Sequence, residues 1–168
     1  LTYDEAKRIY LSEYWLKSSC QAMPGALALP VYNVAVHAGL GTAARFLQRA
    51  LNANGASVAV DGGIGGETLG AIAKVSLPDV INDYIDLYEA KLRAHKNFAH
   101  FKNGFLRRVN KLRVESEKWL AEQGTPTPAI PTPKVDDGDS TVTDATAQLI
   151  EALRRALLQN APVPPGND

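Results

Sequence analysis

The chain has 168 residues, 45% hydrophobic and 21% charged, which is typical of a folded globular protein and not of a disordered or fibrous one. Its 18 basic and 18 acidic residues cancel, so the net charge indicates no class of partner, and no apolar run is long enough to span a membrane. A single cysteine, Cys20, excludes an internal disulfide and a cysteine-based zinc site. Because the first residue is Leu1 and not methionine, we expect an internal piece of a longer reading frame, and no signal peptide is recognised in it.

The N-terminal third of the chain predicts two helices. Thr2 and Glu5 form a capping-box pattern, which predicts a helix that runs to about residue 17. An apolar stretch at 29–40 predicts a second helical segment, preceded by prolines and ended by glycines. The residues that mark its limits are Pro24, Gly25, Pro30, Gly39 and Gly41.

The middle of the chain combines a helix with a glycine-rich loop. Thr42 is placed to cap the next helix, and Gly55 supplies its C-terminal stop. The segment 58–66 is too rich in glycine for a helix, which predicts a tight loop able to hold a small β-hairpin, with Asp61 accepting backbone hydrogen bonds in the turn. A short helix is predicted to follow at 67–75.

Two longer helices are predicted to complete the body. Ser76 and Asp79 form a second capping-box pattern, followed by apolar residues at helical spacing as far as residue 92. A last helix is predicted at about 105–122, with Trp119 on its apolar side. Since no useful stretch alternates with a period of two residues, the fold class is predicted to be all-α.

The C-terminal quarter differs in composition from the body. Four prolines that alternate with Thr and Ala, followed by acidic residues, predict a flexible linker at 124–144. A short amphipathic helix is predicted within 145–168, and it would pair with a partner or self-associate through its apolar side chains. These are Leu149, Ile150, Leu153 and Leu157.

Three stretches in the body together resemble one family, the glycoside hydrolase family 108 lysozymes, which are phage endolysins and secretion-associated N-acetylmuramidases. The first is LTYDEAKRIYLSEYW, similar to the acidic-capped family helix that ends in Tyr-Trp. The second is VYNVAVHAGLGTAARFLQRAL, similar to a family helix that continues into an Ala-x-x-Leu-Gln helix. The third, VDGGIGGETLGAI, is similar to the glycine loop of the helical peptidoglycan-binding-type domain that follows, and the resemblance extends over about residues 1–121.

The resemblance implies a lysozyme-like helical body and a division into segments. Residues 1–41 would be the C-terminal part of a catalytic domain, and 42–123 a helical peptidoglycan-binding-type domain, before the linker at 124–144 and the tail at 145–168. It implies a hydrolase that cleaves the β-1,4 glycosidic link of peptidoglycan and acts in the bacterial periplasm or cell wall, with peptidoglycan as partner.

The chain departs from the family pattern in two ways. Asn33 stands where the family has an aspartate, and His37 where it has an asparagine. The family's catalytic Glu-Gly-Gly motif does not occur anywhere in these 168 residues. We therefore expect this chain alone to be inactive, as the part of a muramidase that lacks the catalytic glutamate.

Five residues are candidates for the site. Glycoside hydrolysis needs a protonated carboxylic acid, and Glu13, beside Tyr14 and Trp15, is the one weak candidate, although a solvated helical glutamate explains it better. Tyr14 and Trp15 are predicted to contact sugars, because aromatic rings offer a broad apolar surface with a polar edge; filling the core is the competing interpretation. Asn33 and His37 lie one helical turn apart and are predicted either to bind substrate or to form a structural pair.

No metal and no cofactor are expected, since the histidines lack zinc-site spacing. The glycine loop lacks a Gly-Lys-Ser/Thr ending, so no nucleotide is expected either. Residues 91–118 contain nine basic and two acidic residues, interleaved with phenylalanines, which leaves two alternatives to an enzyme. One is a non-catalytic module that binds the cell wall, and the other, less favoured, is a basic helical domain that binds nucleic acid or protein.

Overall fold

The structure, a computed structural model, describes residues 2–122. Over this range the fold is all-α, as predicted, and contains no strand, so the suggested β-hairpin at 58–66 is wrong. The helices are α1 (Tyr3–Ile9), α2 (Gly25–Ala38), α3 (Leu40–Ala53), α4 (Gly66–Ile72), α5 (Leu77–Arg93) and α6 (Phe98–Glu122). The predicted linker and tail, with Leu149, Ile150, Leu153 and Leu157, lie outside the described residues.

The first helix changes its winding halfway along. Its capping box forms as predicted: the Glu5 amide donates to the Thr2 hydroxyl, and the Glu5 carboxylate accepts from the Thr2 amide at 2.7 Å. After α1 the backbone continues as a π-helix, Tyr10–Leu16, and then a single 3₁₀ turn, Cys20–Ala22. A π-helical stretch is rare and often occurs at functional sites, and this one carries the predicted site residues 13–15.

Helix α2 is the centre of the molecule. Ten consecutive residues, 26–35, are buried, which requires neighbours on every side of the helix. Those neighbours are α3, α5, α6 and the π-helical segment. The helix begins four residues before the predicted 29–40 and includes Pro30, because a fully buried helix can offset the cost of about 3 kcal/mol for an interior proline.

Glycines determine both ends of α3. Gly39, with φ +91°, ends α2 and directly precedes α3. Thr42 therefore lies inside α3, and the prediction that it caps this helix is wrong. Gly55, with φ +93°, stops α3 as predicted. The amides of Gly55 and Ala56 donate to the carbonyls of Asn52 and Leu51, the hydrogen-bond pair of a Schellman motif.

The glycine-rich loop is held by one buried side chain, Gln48 of α3. Its Nε2 donates to Asp61 Oδ1 at 2.7 Å and to the Gly63 carbonyl at 2.8 Å, and its Oε1 accepts from the Gly62 amide at 3.0 Å. The Asp61 carboxylate accepts from the Gly63 amide at 2.8 Å, as predicted for a turn aspartate. The hydrogen bond from the Gly63 amide is the main cause that lowers the pKa of Asp61, and the hydrogen bond from Gln48 lowers it further.

The two longest helices, α5 and α6, both pack against α2. Ser76 precedes α5 as predicted but makes no side-chain capping hydrogen bond, so the second capping box does not form. Helix α6 begins at Phe98, seven residues before the predicted start. It runs antiparallel to α2, because Trp119 lies against Gly25 while Phe105 contacts His37. The proposed division of the chain at residues 41 and 42 stays a prediction.

Candidate functional site

The π-helical segment presents an aromatic surface, which we call the tyrosine platform and define as Tyr10, Tyr14 and Trp15. The rings of Tyr10 and Tyr14 are 5.8 Å apart, and Trp15 packs edge-on against Tyr32 of α2 at 5.7 Å. Tyr10 is exposed and Tyr14 half-buried, whereas Trp15 is buried. Tyr14 is therefore accessible to a ligand, while Trp15 mainly anchors the segment to α2.

Tyr32 is the buried support of this surface, and sequence analysis did not single it out. Burial raises the pKa of its hydroxyl, with smaller contributions from Tyr10, Cys20 and Tyr14, so the side chain is neutral at any physiological pH. In the sequence, the position of Tyr32 within the apolar stretch indicates only a core residue. The partner that it stabilises, Trp15, becomes apparent only once the π-helical winding is known.

Glu13 lies on the exposed side of the same segment. Its carboxylate forms an ion pair with Lys17, one helical turn along, and half of its side-chain surface is accessible. A general acid for glycoside hydrolysis needs surroundings that keep it protonated, usually through desolvation. Glu13 lacks such surroundings, and the arrangement is that of a surface ion pair.

Asn33 is buried in α2, and no hydrogen-bond partner for its Oδ1 atom is found among residues 2–122. Most buried amide oxygens have a partner, so this is an uncommon arrangement. A substrate could contact Asn33 only if the helices around it opened.

His37 lies at the exposed last turn of α2 and contacts two other helices. Its Nδ1 atom is 2.8 Å from the Tyr88 hydroxyl, which donates to it in the neutral tautomer that carries its proton on Nε2, and its ring also contacts Phe105. Partial desolvation lowers the pKa of His37, and the nearby positive charges of Arg108, His95 and Lys91 lower it further.

The five site residues predicted from the sequence therefore do not form a single site. Trp15 and Tyr14 lie with Tyr32, whereas His37 lies with Tyr88 and Phe105. Five residues along an α-helix correspond to a rotation of about 140°, so Tyr32 and His37 point to different sides of α2. Sequence spacing alone identified the pair on α2 but not the partners that the other helices bring.

The state of His37 can be measured directly. In an NMR titration we expect its imidazole to show a pKa below the ordinary 6.5, and Lys91→Gln should move that pKa upward by removing one nearby charge. Because the pKa of His37 is lower in the folded state than in the unfolded state, the unfolded chain binds more protons. The free energy of unfolding therefore decreases as the pH falls below about 6.5. A His37 pKa at or above 6.5 would contradict this description.

In the part of the chain that the structure describes, no group of three His, Cys, Asp or Glu side chains could hold a metal ion. None of the helices described there combines the length and apolar character that crossing a membrane requires.

Comparison with known proteins identifies relatives of the chain. The profile of the family described as Glycosyl hydrolase 108 matches residues 1–39, which include α1, the π-helical segment and α2. The solved structure of Brucella abortus SagA is similar, with a TM-score of 0.65 and 29% identity over 71% of this chain and 66% of that one. The chain thus spans just under two thirds of that relative, and no curated protein matches it. These matches confirm the resemblance seen in the sequence, while the assignment of 42–123 to a peptidoglycan-binding-type domain stays a prediction.

Proposed function

We propose that this chain, whose first 39 residues match the profile of glycoside hydrolase family 108, belongs to a peptidoglycan hydrolase of the N-acetylmuramidase type. Its reaction would be cleavage of the β-1,4 link of the glycan strand, in the periplasm or cell wall of a bacterium. An endolysin encoded by a phage and a muramidase encoded by a bacterium both fit this proposal. The observation that carries it is the family match over the segment that contains the tyrosine platform.

The tyrosine platform would supply the sugar contact. Sugar rings have apolar faces that pack against aromatic rings, and the tyrosine hydroxyls can hydrogen-bond to the sugar hydroxyls at the edge. Tyr10 and Tyr14 present such faces side by side, and the buried contact of Trp15 with Tyr32 holds them in place. His37, at the exposed end of α2, remains proposed as a further substrate contact, and Asn33 would become one only if the helices around it opened.

We also propose that these 168 residues do not hydrolyse peptidoglycan by themselves. The family's Glu-Gly-Gly motif does not occur in them, and Glu13 is a solvated partner of Lys17. Positioned acid catalysis contributes about 10²–10⁴-fold to a rate, so a chain without a suitable acid should have negligible activity. The main alternative, a wall-binding module with no catalytic role, shares this expectation and differs only in what the parent protein does.

A binding experiment with purified sacculi tests the role of the platform. Tyr14→Ala should weaken cosedimentation about two- to tenfold, the range expected for one lost aromatic contact, while Tyr14→Phe keeps the ring and should retain most of it. Val60→Ala is the matched control, because Val60 is an exposed apolar residue outside the platform. Unchanged binding by Tyr14→Ala would remove the platform from the proposal.

A further inference from the structure

Three polar side chains, one from each of α2, α5 and α6, meet at the C-terminal end of α2. His37 is in the last turn of α2, Tyr88 is in the second half of α5, and Arg108 is in α6. The Nδ1 atom of His37 lies 2.8 Å from the Tyr88 hydroxyl. Burial raises the pKa of Tyr88, and Arg108 counteracts this through its charge and through a hydrogen bond to the hydroxyl. The Tyr88 hydroxyl therefore stands between a cation and an imidazole.

The direction of these hydrogen bonds follows from which groups can donate. A guanidinium has only donors, so Arg108 can face only the lone pairs of the hydroxyl oxygen. Tyr88 is fully buried, and a buried O–H group without an acceptor would cost free energy. The acceptor that the structure places within reach is Nδ1 of His37, which must then be unprotonated. A neutral imidazole that accepts at Nδ1 carries its proton on Nε2.

The charges around His37 favour the same protonation state. Desolvation lowers its pKa most, and Arg108, His95 and Lys91 lower it further. Lys91 comes from α5, Arg108 from α6 and His95 from the turn between these helices, so every one of these neighbours is basic. Helix α2 itself contains no acidic residue, and Tyr88 is neutral. Protonation would add a positive charge to basic surroundings, so the neutral imidazole is the favoured form.

We propose that Tyr88 and Arg108 are positioning residues, which hold His37 as the neutral imidazole with its Nε2–H group available to a ligand. This inference rests on the proposed function, in which His37 contacts the substrate. The side chain of His37 is exposed, and Tyr88 engages Nδ1 and not Nε2. The end of α2 therefore offers a ligand one N–H donor and no imidazole acceptor.

A fixed donor selects the kind of ligand group that it contacts. A sugar hydroxyl both donates and accepts, so either tautomer of an imidazole could bind it. A carbonyl oxygen only accepts, so it requires the N–H group. Within a glycan strand the acetamido carbonyl is such a group, and we assign it as the one that His37 contacts. The opposite tautomer would leave both partners as acceptors, which disfavours binding.

The tautomer of His37 can be measured from the ¹⁵N shifts of its imidazole in the 168-residue chain. We expect one dominant form, with the proton on Nε2. Tyr88→Phe should convert it into a mixture of both tautomers and raise the pKa of His37, because the neutral form loses a hydrogen bond. A proton on Nδ1 in the wild type, or an unchanged tautomer in Tyr88→Phe, would overturn the proposal.

Tyr84→Phe is the matched control for Tyr88→Phe. Tyr84 is also buried in α5, but its hydroxyl has no hydrogen-bond partner among residues 2–122. Removing that hydroxyl should leave the tautomer and the pKa of His37 as they are in the wild type. A general loosening of α5 would affect His37 in both variants, and this result would also count against the positioning role of Tyr88.

The contribution of Arg108 is tested by its charge. Arg108→Gln should raise the pKa of His37 at low salt, because a nearby positive charge is lost, whereas Arg108→Lys should restore the wild-type value. Arg49→Gln removes an exposed charge from α3 and should have no effect. The same pKa in Arg108→Gln and Arg108→Lys would contradict the role of Arg108.

Two soluble sugars test which group His37 contacts. Chitotetraose carries acetamido carbonyls, whereas cellotetraose has the same β-1,4 backbone with hydroxyls only. Chitotetraose should shift the Nε2 resonance of His37 in the wild type and shift it less in Tyr88→Phe, and cellotetraose should have a smaller effect. Equal effects of the two sugars, or no effect of chitotetraose, would overturn the assignment of the acetamido group.

Cosedimentation with sacculi separates the failure of this inference from that of the proposed function. A wild-type chain that binds sacculi but carries the His37 proton on Nδ1 would overturn the positioning role and leave the proposed function standing. A chain that shows the Nε2–H tautomer, and loses it in Tyr88→Phe, but does not bind sacculi would support the positioning role and contradict the proposed function.

Discussion

Replacing Gly25 with alanine is expected to destabilise the protein by about 1–3 kcal/mol, the usual cost of overpacking a filled site. Gly25 is the first residue of α2, and a Cβ atom there would overlap the ring of Trp119 on α6. The substitution must therefore push Trp119 outward and loosen the antiparallel contact between the two helices. Urea denaturation measures the loss, and tryptophan emission should shift to longer wavelength as Trp119 becomes more exposed.

Gly104→Ala is the matched control for this prediction. Gly104 lies inside α6, and a Cβ atom there would meet no atom within 4 Å among the described residues. Since alanine favours a helix over glycine by about 1 kcal/mol, this variant should be slightly more stable than the wild type. Equal effects of the two substitutions would show that Trp119 does not pack on Gly25 as described.

Replacing Gln48 with alanine is expected to cost about 1–3 kcal/mol, because it leaves polar groups of the glycine loop without partners. The Gly62 amide loses its acceptor, and Asp61 and the Gly63 carbonyl lose a donor. Besides the lower stability, backbone amide exchange at Gly62 and Gly63 should become faster.

Arg49→Ala is the control, because Arg49 is the next residue on α3 and is exposed. It should change stability by less than about 0.5 kcal/mol, as surface substitutions usually do. A Gln48→Ala variant with wild-type stability and unchanged exchange would show that the loop holds its conformation without this side chain.

The helical fold could be predicted because its signals are local. The capping box at Thr2 and Glu5, the stop at Gly55 and the turn role of Asp61 all depend on neighbours within a few residues, and each formed as expected. Thr42 and Ser76 were equally good caps by sequence, but α3 already begins at Leu40, directly after Gly39, and the Ser76 side chain makes no capping hydrogen bond. The sequence pattern therefore predicted which helices form more reliably than it predicted where they begin and end.

The site could be predicted only in part, because its geometry depends on contacts between distant segments. Tyr14 and Trp15 were identified from residue type, but the π-helical winding that turns one toward solvent and the other toward Tyr32 leaves no pattern in the sequence. The ring of His37 on α2 contacts that of Phe105 on α6, which in turn contacts His95, although both partners lie far from His37 along the chain. Only the antiparallel packing of α2 and α6 brings these rings together.

Incubating the 168-residue chain with purified sacculi, and analysing pellet and supernatant separately, tests wall binding and the lack of catalysis together. We predict that the chain is recovered in the pellet, less so at high salt, and that no new reducing ends appear in the supernatant. Recovery of the chain in the supernatant at low salt would contradict wall binding. Release of reducing ends that Glu13→Gln abolishes would contradict the proposed lack of catalysis and would make Glu13 the acid.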